Sequence, residues 1–373
     1  MNDRVNKNRI GVVIASGGTG GHLFPAVAVA QEFRNRLGAK ISFVTTARAM
    51  ALEILQRYQF PWQIIDAGAL KGQGLWRRLA TLAGLPGSIL QAQRVLRQES
   101  PDLVLGMGGY STGPVGVAAW RLGIPLAIHE QNAILGFTNK LLARLADRIF
   151  LSFPDADGQV DSDRTIWTGM PLRPEFIHPQ PMERPASPQT LLIMGGSQGA
   201  HQINLQMLAA LEFLREWRQQ LNIIHLTGLA DVDLVKNGYA QADFPATVMA
   251  FTPDVAAYMA QAHLVVCRAG ASTLAELTAL GRAAILVPYP YAANQHQEKN
   301  ARWLSEAQAA YLLANQDLTG AGLAALIKEL LDNPVKLADM ESRCHSLARL
   351  EAAATMVAEC QRLITSTTPK ELD

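Results

Sequence analysis

The sequence predicts an α/β protein made of two Rossmann-like domains, each with a doubly wound parallel sheet. Short continuous apolar runs, typical of strands buried on both faces, alternate with amphipathic helical segments along the chain. Each half opens in the same way, because residues 10–15 lead into Gly17-Gly18 and residues 190–194 lead into Gly195-Gly196. A length of 373 residues suits two domains, and we expect them to face each other across a cleft.

The first half has the strand–helix alternation of a parallel sheet. We predict strands over residues 10–15, 41–45, 62–66, 102–105, 125–128 and 148–153. Apolar residues recur at helical spacing between them, over residues 23–37, 48–58, 75–98, 115–122 and 134–145. Parallel strands need such crossover helices, so the order of the elements itself favours this fold.

Closely spaced prolines within residues 168–189 interrupt the alternation and predict a linker. The alternation then restarts with strands over residues 190–194, 223–227, 248–251, 264–267 and 284–287. The predicted helices include residues 203–217, 318–331, 336–350 and 352–365. We therefore expect an N-terminal domain over residues 1–169, with the C-terminal helix in residues 352–373 packing back on it, and a C-terminal domain over residues 170–351.

The composition excludes several classes of protein. Apolar residues make up 49% and charged residues 17% of the chain, so it can bury two cores. A net charge of +1 gives no argument for a nucleic-acid partner. The three cysteines are not closely spaced, which argues against a disulfide framework or a zinc site and favours a reducing cytoplasm. No signal peptide or bilayer-length apolar stretch is visible, so we expect any membrane contact to be peripheral.

The first glycine turn, residues 17–22 (GGTGGH), lies between a predicted strand and a predicted helix. Backbone N–H groups and the positive end of a helix dipole suit an anion such as a diphosphate. His22 adds a group that can move a proton near neutral pH. The turn fails the dinucleotide fingerprint, because Leu23 replaces the third glycine and no acidic residue ends the second strand. The alternative is a tight turn that merely needs glycine.

Residues 267–276 (CRAGASTLAE) end a predicted strand and open a helix. Ser272 or Thr273 could cap that helix, and Glu276 lies one turn further along the same face. One interpretation is a capping box in which Glu276 serves the cap. The other interpretation places a phosphate at the helix start and a nucleotide ribose on Glu276, whose carboxylate can accept hydrogen bonds from both ribose hydroxyls. The local pattern leaves both interpretations open.

Two further polar clusters were considered for ligand binding. Amides in residues 294–300 (NQHQEKN) follow a predicted strand and suit sugar hydroxyls, with a polar helix start as the alternative. Acidic pairs at residues 155–157, 161–163 and 231–233 resemble a metal-binding Asp-x-Asp site, but their recurrence favours solvated loop or cap residues. With no His/Cys cluster either, we expect neither a metal nor a cofactor.

The stretch 70–89 combines apolar residues, a tryptophan and flanking cations. Such a stretch suits an anionic membrane surface, and an ordinary amphipathic core helix is the alternative. The residues that we assign to membrane docking are Lys71, Leu75, Trp76, Arg77, Arg78 and Leu79.

Five motifs in this order closely resemble the MurG family, bacterial transferases that add N-acetylglucosamine to lipid I. They are residues 17–22 (GGTGGH), 129–132 (HEQN), 169–173 (GMPLR), 195–200 (GGSQGA) and 267–276. The resemblance covers nearly the whole chain and implies the GT-B fold. It implies UDP-N-acetylglucosamine as donor, undecaprenyl-pyrophosphoryl-N-acetylmuramoyl-pentapeptide (lipid I) as acceptor, and lipid II for peptidoglycan synthesis as product. It also implies a peripheral location on the cytoplasmic side of the inner membrane.

The resemblance implies roles for individual residues as well. In the C-terminal domain, the diphosphate would contact Ser197, Ser272 and Thr273, the ribose Glu276, and the uracil the backbone near Thr252. The remaining substrate-binding residues that it implies are Arg173 for the nucleotide, Asn132 and Gln297 for the donor sugar, and Thr19, Gly20 and Gly21 on the N-terminal side.

The implied reaction is direct displacement of UDP by the 4-hydroxyl of the muramoyl sugar, with inversion at the anomeric carbon. Helix dipoles, backbone N–H groups and Arg173 would stabilise the leaving diphosphate without a metal. His22 is the candidate general base, and holding a phosphate or the glycine turn is its alternative role. Two other classes stay open: a non-catalytic lipid-pyrophosphate binding protein and a UDP-sugar epimerase of the same fold. The basic and apolar stretch at residues 71–89 favours the transferase, because an epimerase has no use for a membrane surface.

Overall fold

The computed structural model describes residues 9–68, 75–154, 162–180, 184–196 and 198–367, with only the backbone described over residues 75–83 and at residues 162, 293 and 367. The described residues up to Arg173 and those from Leu350 onward form one compact unit, called unit 1. The described residues from Pro174 to Arg349 form the other, called unit 2. Each unit is built on one parallel sheet, so the predicted fold of two Rossmann-like α/β halves is confirmed.

The sheet of unit 1 has seven strands, namely β1 (Gly11–Ala15), β2 (Lys40–Thr45), β3 (Trp62–Ile64), β4 (Leu103–Gly106), β5 (Leu126–Glu130), β6 (Arg148–Leu151) and β7 (Thr165–Trp167). Their order is β3-β2-β1-β4-β5-β6-β7. The crossover helices are α1 (Gly20–Leu37), α2 (Ala49–Arg57), α3 (Leu75–Glu99), α4 (Thr112–Arg121) and α5 (Phe137–Leu142). The strand order reverses between β1 and β4, which makes their carboxyl ends the topological switch point of this sheet.

The central strands of unit 1 are apolar on both sides because helices cover both faces of the sheet. Val12 and Ile14 of β1 pack into one buried cluster, with Phe33 of α1. Val13 and Ala15 point the other way into a second cluster, which also contains buried residues of α3 and α4. This alternation explains why the sequence shows a continuous apolar run rather than an apolar/polar repeat.

Unit 2 begins with the short helix α6 (Pro174–Ile177) and has a sheet of six strands, namely β8 (Gln189–Met194), β9 (Leu221–Leu226), β10 (Ala246–Met249), β11 (Leu264–Cys267), β12 (Ala284–Leu286) and β13 (Tyr311–Leu312). Their order is β10-β9-β8-β11-β12-β13. The remaining helices are α7 (His201–Ala210), α8 (Val232–Gln241), α9 (Val255–Gln261), α10 (Ala271–Leu280), α11 (His296–Glu306), α12 (Gly320–Leu331) and α13 (Pro334–Ser346). The switch point of this sheet lies between β8 and β11, where Met194 pairs with Cys267.

The last helix, α14 (Ala352–Thr367), belongs to unit 1 although it follows all of unit 2 in the chain. Met356, Val357 and Cys360 are buried in the same cluster as α1. A salt bridge of 3.4 Å between Arg148 and Glu359 also ties α14 to β6. None of the described helices has both the length and the apolar composition that crossing a bilayer requires.

Two segments differ from the sequence predictions. The predicted helix over residues 203–217 ends at Ala210, and a separate 3₁₀ turn covers Arg215–Trp217. An apolar repeat alone cannot distinguish a continuous α-helix from shorter, tighter turns. Within the predicted linker, residues 168–189, Pro174–Ile177 form α6, whose Phe176 is fully buried and which packs on α10.

Candidate active site

Two glycine turns pack backbone to backbone at the switch point of unit 1. The Gly17 N–H donates to the Gly108 carbonyl oxygen at 2.8 Å. Gly109 has a φ of +86°, and a Cβ atom there would lie 2.3 Å from the Cα of Gly17. The Thr112 hydroxyl donates to the Ala15 carbonyl oxygen at 3.2 Å and so fixes the start of α4 to the end of β1. Only glycine permits this approach, which leaves main chain at the place where open α/β sheets bind ligands.

His22 lies in the first turn of α1 and is half-buried. Its Nδ1 atom is 2.8 Å from the hydroxyl of Thr19, the N-cap residue of the helix. A Cβ atom on Gly108 would lie 2.6 Å from His22 Cδ2 and 3.0 Å from Gln131 Oε1, so the imidazole and this amide border the same glycine. The ring therefore occupies a defined position beside both glycine turns. Gly20 and Gly21, the other predicted residues here, are the first two residues of α1.

The HEQN motif at the end of β5 ties neighbouring segments of unit 1 to one another. Gln131 is buried, and its Nε2 donates to the Met107 carbonyl oxygen at 2.6 Å. His129 is also buried, and its Nε2 lies 3.0 Å from the Ser152 hydroxyl and 3.4 Å from the Gly169 carbonyl oxygen. Burial lowers the pKa of His129 to about 4, so this imidazole is neutral at pH 7. Its Nδ1 atom has no hydrogen-bond partner among the described residues.

Glu130 uses both carboxylate oxygens to hold the loop that carries Asn132. Oε1 accepts from the Asn132 N–H at 3.0 Å and from its side-chain Nδ2 at 3.4 Å. Oε2 accepts from the Gly136 N–H at 2.9 Å and from Asn139 Nδ2 at 2.8 Å. Burial raises the pKa of Glu130, and these N–H donors oppose the shift by stabilising the carboxylate. Asn132, predicted to contact the donor sugar, is thus oriented by a buried acid.

Arg173 lies beside the start of α1, although it follows β7 in the chain. Its guanidinium carbon is 4.9 Å from the centroid of the Phe24 ring, a cation–π contact worth about 0.5–1 kcal/mol. The same ring lies against Gly20, where a Cβ atom would be 3.4 Å from it. The structure therefore brings Arg173 close to the first glycine turn, where Thr19 and His22 are found.

In unit 2, a glycine turn that starts at Gly195 follows β8 at the switch point of the sheet. A Cβ atom on Gly195 would lie 2.2 Å from the Ala200 nitrogen, and one on Gly199 would lie 2.1 Å from the Thr227 carbonyl oxygen. Helix α7 starts directly after this turn, and its N-cap residue, Ala200, has no polar side chain that could cap it. Such a helix start suits an anion. Ser197, which we predict to contact the diphosphate, lies outside the described residues.

Helix α10 follows β11, the strand that neighbours β8 in the sheet. Its N-cap is Gly270, so Ser272 and Thr273 do not take the N-cap position that a capping box would give them. Ser272 and Thr273 are instead in the first turn of the helix and half-buried. Glu276 is half-buried one turn further on. Burial, and then the neighbouring Glu276 carboxylate, raise the pKa of the Cys267 thiol, which places this carboxylate near the end of β11.

Three side chains hold α11, the helix that carries Gln297, and the loop that leads to it from β12. Arg268 donates to the carbonyl oxygens of Val287 and Pro288, each at 3.1 Å. Gln297 Oε1 accepts from the Tyr289 N–H at 2.9 Å, so the amide nitrogen is the part of this side chain that could donate to a sugar hydroxyl. Buried Asn300 donates to the Ala269 carbonyl oxygen at 3.2 Å.

Thr252 lies in the loop after β10, and β10 is an edge strand of the sheet of unit 2. Its side chain is buried, and its hydroxyl accepts from the Asp254 N–H at 3.1 Å. The hydroxyl is thus engaged within its own loop, which is compatible with the backbone role that we predict for this residue. Beside it, Phe251 is largely exposed.

Other predictions fall partly or wholly outside the described residues. Lys71 is not described, and for Leu75, Trp76, Arg77, Arg78 and Leu79 only the backbone at the start of α3 is described. The acidic pair at residues 155–157 is likewise outside the described part of the chain. Asp231 belongs to a 3₁₀ turn and binds His201 and Asn204. Within the described ranges, no group of three or more His, Cys, Asp or Glu side chains could hold a metal ion.

The sequence did not point to the bracing residues of either unit. Glu130, Gln131 and Arg268 lie inside recognisable motifs, but nothing in the motifs separates bracing residues from ligand-contacting ones. Asn300 ends the amide cluster 294–300, which we considered for sugar binding and not for bracing, and Asn204 lies in a helix without any motif. The partners of both are far away in the chain. Long-range hydrogen bonds of this kind have no local sequence signal.

Comparisons with known proteins show which family this chain resembles over nearly its whole length. The N-terminal domain of glycosyltransferase family 28 matches residues 12–151, and the C-terminal domain of that family matches residues 190–356. A protein of Syntrophus aciditrophicus (strain SB) named UDP-N-acetylglucosamine–N-acetylmuramyl-(pentapeptide) pyrophosphoryl-undecaprenol N-acetylglucosamine transferase is 41% identical over 355 residues. That alignment covers 95% of this chain and 98% of the relative.

Solved structures show the same architecture. The crystal structure of Acinetobacter baumannii MurG has a TM-score of 0.76 and 32% identity, and the match covers 95% of this chain and 99% of that one. A UDP-GlcNAc 2-epimerase from Neisseria meningitidis, bound to UDP-GlcNAc, has a TM-score of 0.68 over 95% of this chain and 100% of its own. Its identity is only 14%, so it shares the fold alone. The similarity in sequence over nearly the full length of both chains shows that this chain belongs to the MurG family of glycosyltransferases.

Proposed function

We propose that this protein is an inverting glycosyltransferase that transfers N-acetylglucosamine from UDP-N-acetylglucosamine to lipid I and so forms lipid II. The observation that carries the proposal is the 41% identity over 95% of the chain to a transferase named for this reaction. The family motifs lie at the carboxyl ends of both sheets, where α/β proteins bind ligands.

Unit 2 binds the donor nucleotide in this proposal. The diphosphate lies at the starts of α7 and α10, near Ser197, Ser272 and Thr273. The two helices follow neighbouring strands, β8 and β11. Their N-cap residues, Ala200 and Gly270, have no polar side chain, and each helix start contributes about half a positive charge from its dipole. Glu276 accepts hydrogen bonds from both ribose hydroxyls, and the main chain beside Thr252 binds the uracil.

Two amide side chains are assigned to the donor sugar in this proposal. Gln297 contributes its amide nitrogen, because its oxygen already accepts from the Tyr289 N–H. Asn132 contributes from unit 1, where Glu130 fixes its backbone and its side chain. Amide groups suit this task because hexose hydroxyls both donate and accept hydrogen bonds.

His22 is the general base of the proposed reaction. With Nδ1–H donating to the Thr19 hydroxyl, the Nε2 lone pair can take the proton of the acceptor 4-hydroxyl. The oxygen of that hydroxyl forms a bond to the anomeric carbon of the donor sugar, while the bond from this carbon to the diphosphate breaks. The bonding electrons leave with UDP, whose developing charge is stabilised by the helix starts and by Arg173.

A transfer assay with two arms tests this proposal. The protein is incubated with UDP-N-acetylglucosamine and a short-chain lipid I analogue, and UDP release is followed; the second arm omits the analogue. We expect UDP release only with the analogue. Conversion of the free sugar nucleotide into an epimer without acceptor would favour the epimerase, and no turnover in either arm would favour a non-catalytic lipid-pyrophosphate binding protein.

We further propose that unit 1 docks on the anionic cytoplasmic face of the inner membrane, where lipid I is held by its polyprenyl chain. Residues 71–79 supply cations and apolar side chains for this contact. In the described part of the same unit, Phe137 and Leu141 lie one turn apart on α5 and are about half exposed, at 49% and 52%. Lys140 and Arg144 flank them, so this helix surface also combines apolar and cationic groups.

Sedimentation with anionic phospholipid vesicles tests the docking proposal. The double variant Arg77→Glu/Arg78→Glu should lose most vesicle binding at low salt, because each cation near the surface is worth about 1 kcal/mol. The matched control Arg215→Glu/Arg218→Glu makes the same charge change at exposed positions of unit 2 and should bind like the parent. Unchanged binding of the first variant would mean that residues 71–79 do not dock.

A further inference from the structure

A buried hydrogen-bond network lies next to the glycine turn that precedes α7 in unit 2. Asn204 of α7 and His225 of β9 are fully buried, and Tyr239 of α8 is nearly so. The Asn204 Oδ1 atom is 3.0 Å from His225 Nε2, and the His225 Nδ1 atom is 3.0 Å from the Tyr239 hydroxyl. Asn204 Nδ2 donates to the Thr227 carbonyl oxygen at 2.9 Å and to Asp231 Oδ2 at 2.8 Å.

Only one arrangement of protons satisfies every member of this network. The amide oxygen of Asn204 can only accept, so His225 Nε2 carries the proton. Burial lowers the pKa of His225 to about 3 and raises the pKa of Tyr239, so both are neutral at pH 7. His225 Nδ1 must then accept from the Tyr239 hydroxyl. The hydrogen bonds therefore run in one direction, from Tyr239 through His225 to Asn204, which donates to Thr227 and Asp231.

The far end of the network touches the glycine turn itself. The Thr227 carbonyl oxygen, which accepts from Asn204, is the atom that a Cβ on Gly199 would approach to 2.1 Å. Next to it, a Cβ on Gly228 would lie 2.6 Å from the Gln198 carbonyl oxygen. The backbone of residues 227–228 therefore packs against residues 198–199 without space for any side chain. A shift of the Thr227 carbonyl would move the turn that precedes α7.

We propose that Asn204 is a positioning residue that holds Gln198, Gly199 and the start of α7 in the arrangement that binds the donor diphosphate, with His225 and Tyr239 orienting its amide. The inference rests on the proposed function, because it assumes that the start of α7 binds the diphosphate. Asn204 does not contact the substrate in this account. Its effect reaches the donor through the Thr227 carbonyl and the turn.

The test measures UDP affinity by calorimetry and steady-state kinetics with the lipid I analogue, on the full-length chain. Asn204→Ala should weaken UDP binding about tenfold and raise the donor KM by a similar factor, since a loss of one to two hydrogen bonds has this size. The acceptor KM should stay as in the parent. Asn222→Ala is the matched control. Asn222 lies on β9, and its side-chain amide also donates a hydrogen bond, to Thr190 Oγ1 at 3.4 Å, but at the end of β9 opposite to Thr227.

A double-mutant cycle separates positioning from simple support of the core. Tyr239→Phe removes one hydroxyl and should weaken UDP binding about threefold in the parent but not in the Asn204→Ala background, because Tyr239 acts only through Asn204. This variant also serves if Asn204→Ala does not fold. Unchanged UDP affinity in folded variants with a lower unfolding temperature would overturn the inference. A parent protein that binds no UDP would instead overturn the proposed function.

Discussion

Replacing Glu130 by glutamine should disturb Asn132 without removing any substrate contact directly. The carboxylate accepts four hydrogen bonds, two on each oxygen, from Asn132, Gly136 and Asn139. A glutamine keeps the shape but turns an NH₂ group toward two of these donors, whichever way the amide is placed. Because both lost bonds involve a buried charged acceptor, each is worth about 1.5–3 kcal/mol, and removal of the buried charge offsets part of the loss.

We therefore expect Glu130→Gln to lower the free energy of unfolding of unit 1 by about 2–4 kcal/mol. The donor KM should rise by about fivefold, the size of one misplaced hydrogen bond from Asn132 to the sugar. Urea unfolding and steady-state kinetics measure the two effects. Glu99→Gln is the control, since Glu99 pairs with exposed Lys40 at 3.0 Å and its loss should cost at most about 1 kcal/mol.

The reasoning also predicts how Glu130→Gln combines with Asn132→Ala. If Glu130 acts on the donor through Asn132, the double variant should have the donor KM of Asn132→Ala alone. Additive effects of the two substitutions on the donor KM would refute the claim that Glu130 acts on the donor through Asn132. A folded Glu130→Gln variant with parental stability and kinetics would refute the bracing role altogether.

The remaining predictions concern both units. Glu276→Ala should weaken UDP binding by about 1.5–3 kcal/mol, as a titration would measure, because the ribose loses a charged acceptor. His22→Ala should lower kcat about 10²–10⁴-fold with little change in the donor KM, and a normal kcat with a raised KM for the lipid would make it a binding residue instead. Gly109→Ala should destabilise the fold by about 3 kcal/mol or more, whereas Gly123→Ala should cost only about 1 kcal/mol, since Gly123 also has a positive φ but no atom within 4 Å of a Cβ. Because burial lowers the pKa of His129 to about 4 from its ordinary 6.5, the unfolded chain binds the extra proton between these values. The contribution of His129 to stability should therefore fall by about 1.4 kcal/mol per pH unit as the pH drops from about 6.5 to about 5, and His129→Gln should reduce the slope measured by urea unfolding by that amount.

The strands and the glycine turns could be predicted from the sequence because their causes are local. A strand buried on both faces must be apolar throughout, as in residues 11–15, and a turn in which two main chains touch must contain glycine, as at Gly17 and Gly109. Both features follow from residues next to each other in the chain. The switch point then follows from the order in which such units occur.

The exact helix starts and the bracing contacts could not be predicted in the same way. Helix α10 begins at Ala271, because Gly270 takes the N-cap position that the sequence pattern gave to Ser272 or Thr273. The Arg268 guanidinium binds carbonyls about twenty residues away, and Asn204 of α7 binds the Thr227 carbonyl directly after β9. Such contacts depend on tertiary packing, which overrides local preference and leaves no periodic signal.

The most direct test of the central claim is the structure of the reaction product. The protein is incubated with UDP-N-acetylglucosamine and a short-chain lipid I analogue, and the purified product is examined by mass spectrometry and proton NMR. The account predicts the mass of one added N-acetylhexosamine and a β-configured linkage to the 4-hydroxyl of the muramoyl sugar, as inversion of the α-linked donor requires. Recovery of unmodified analogue, or an α-linked product, would contradict it.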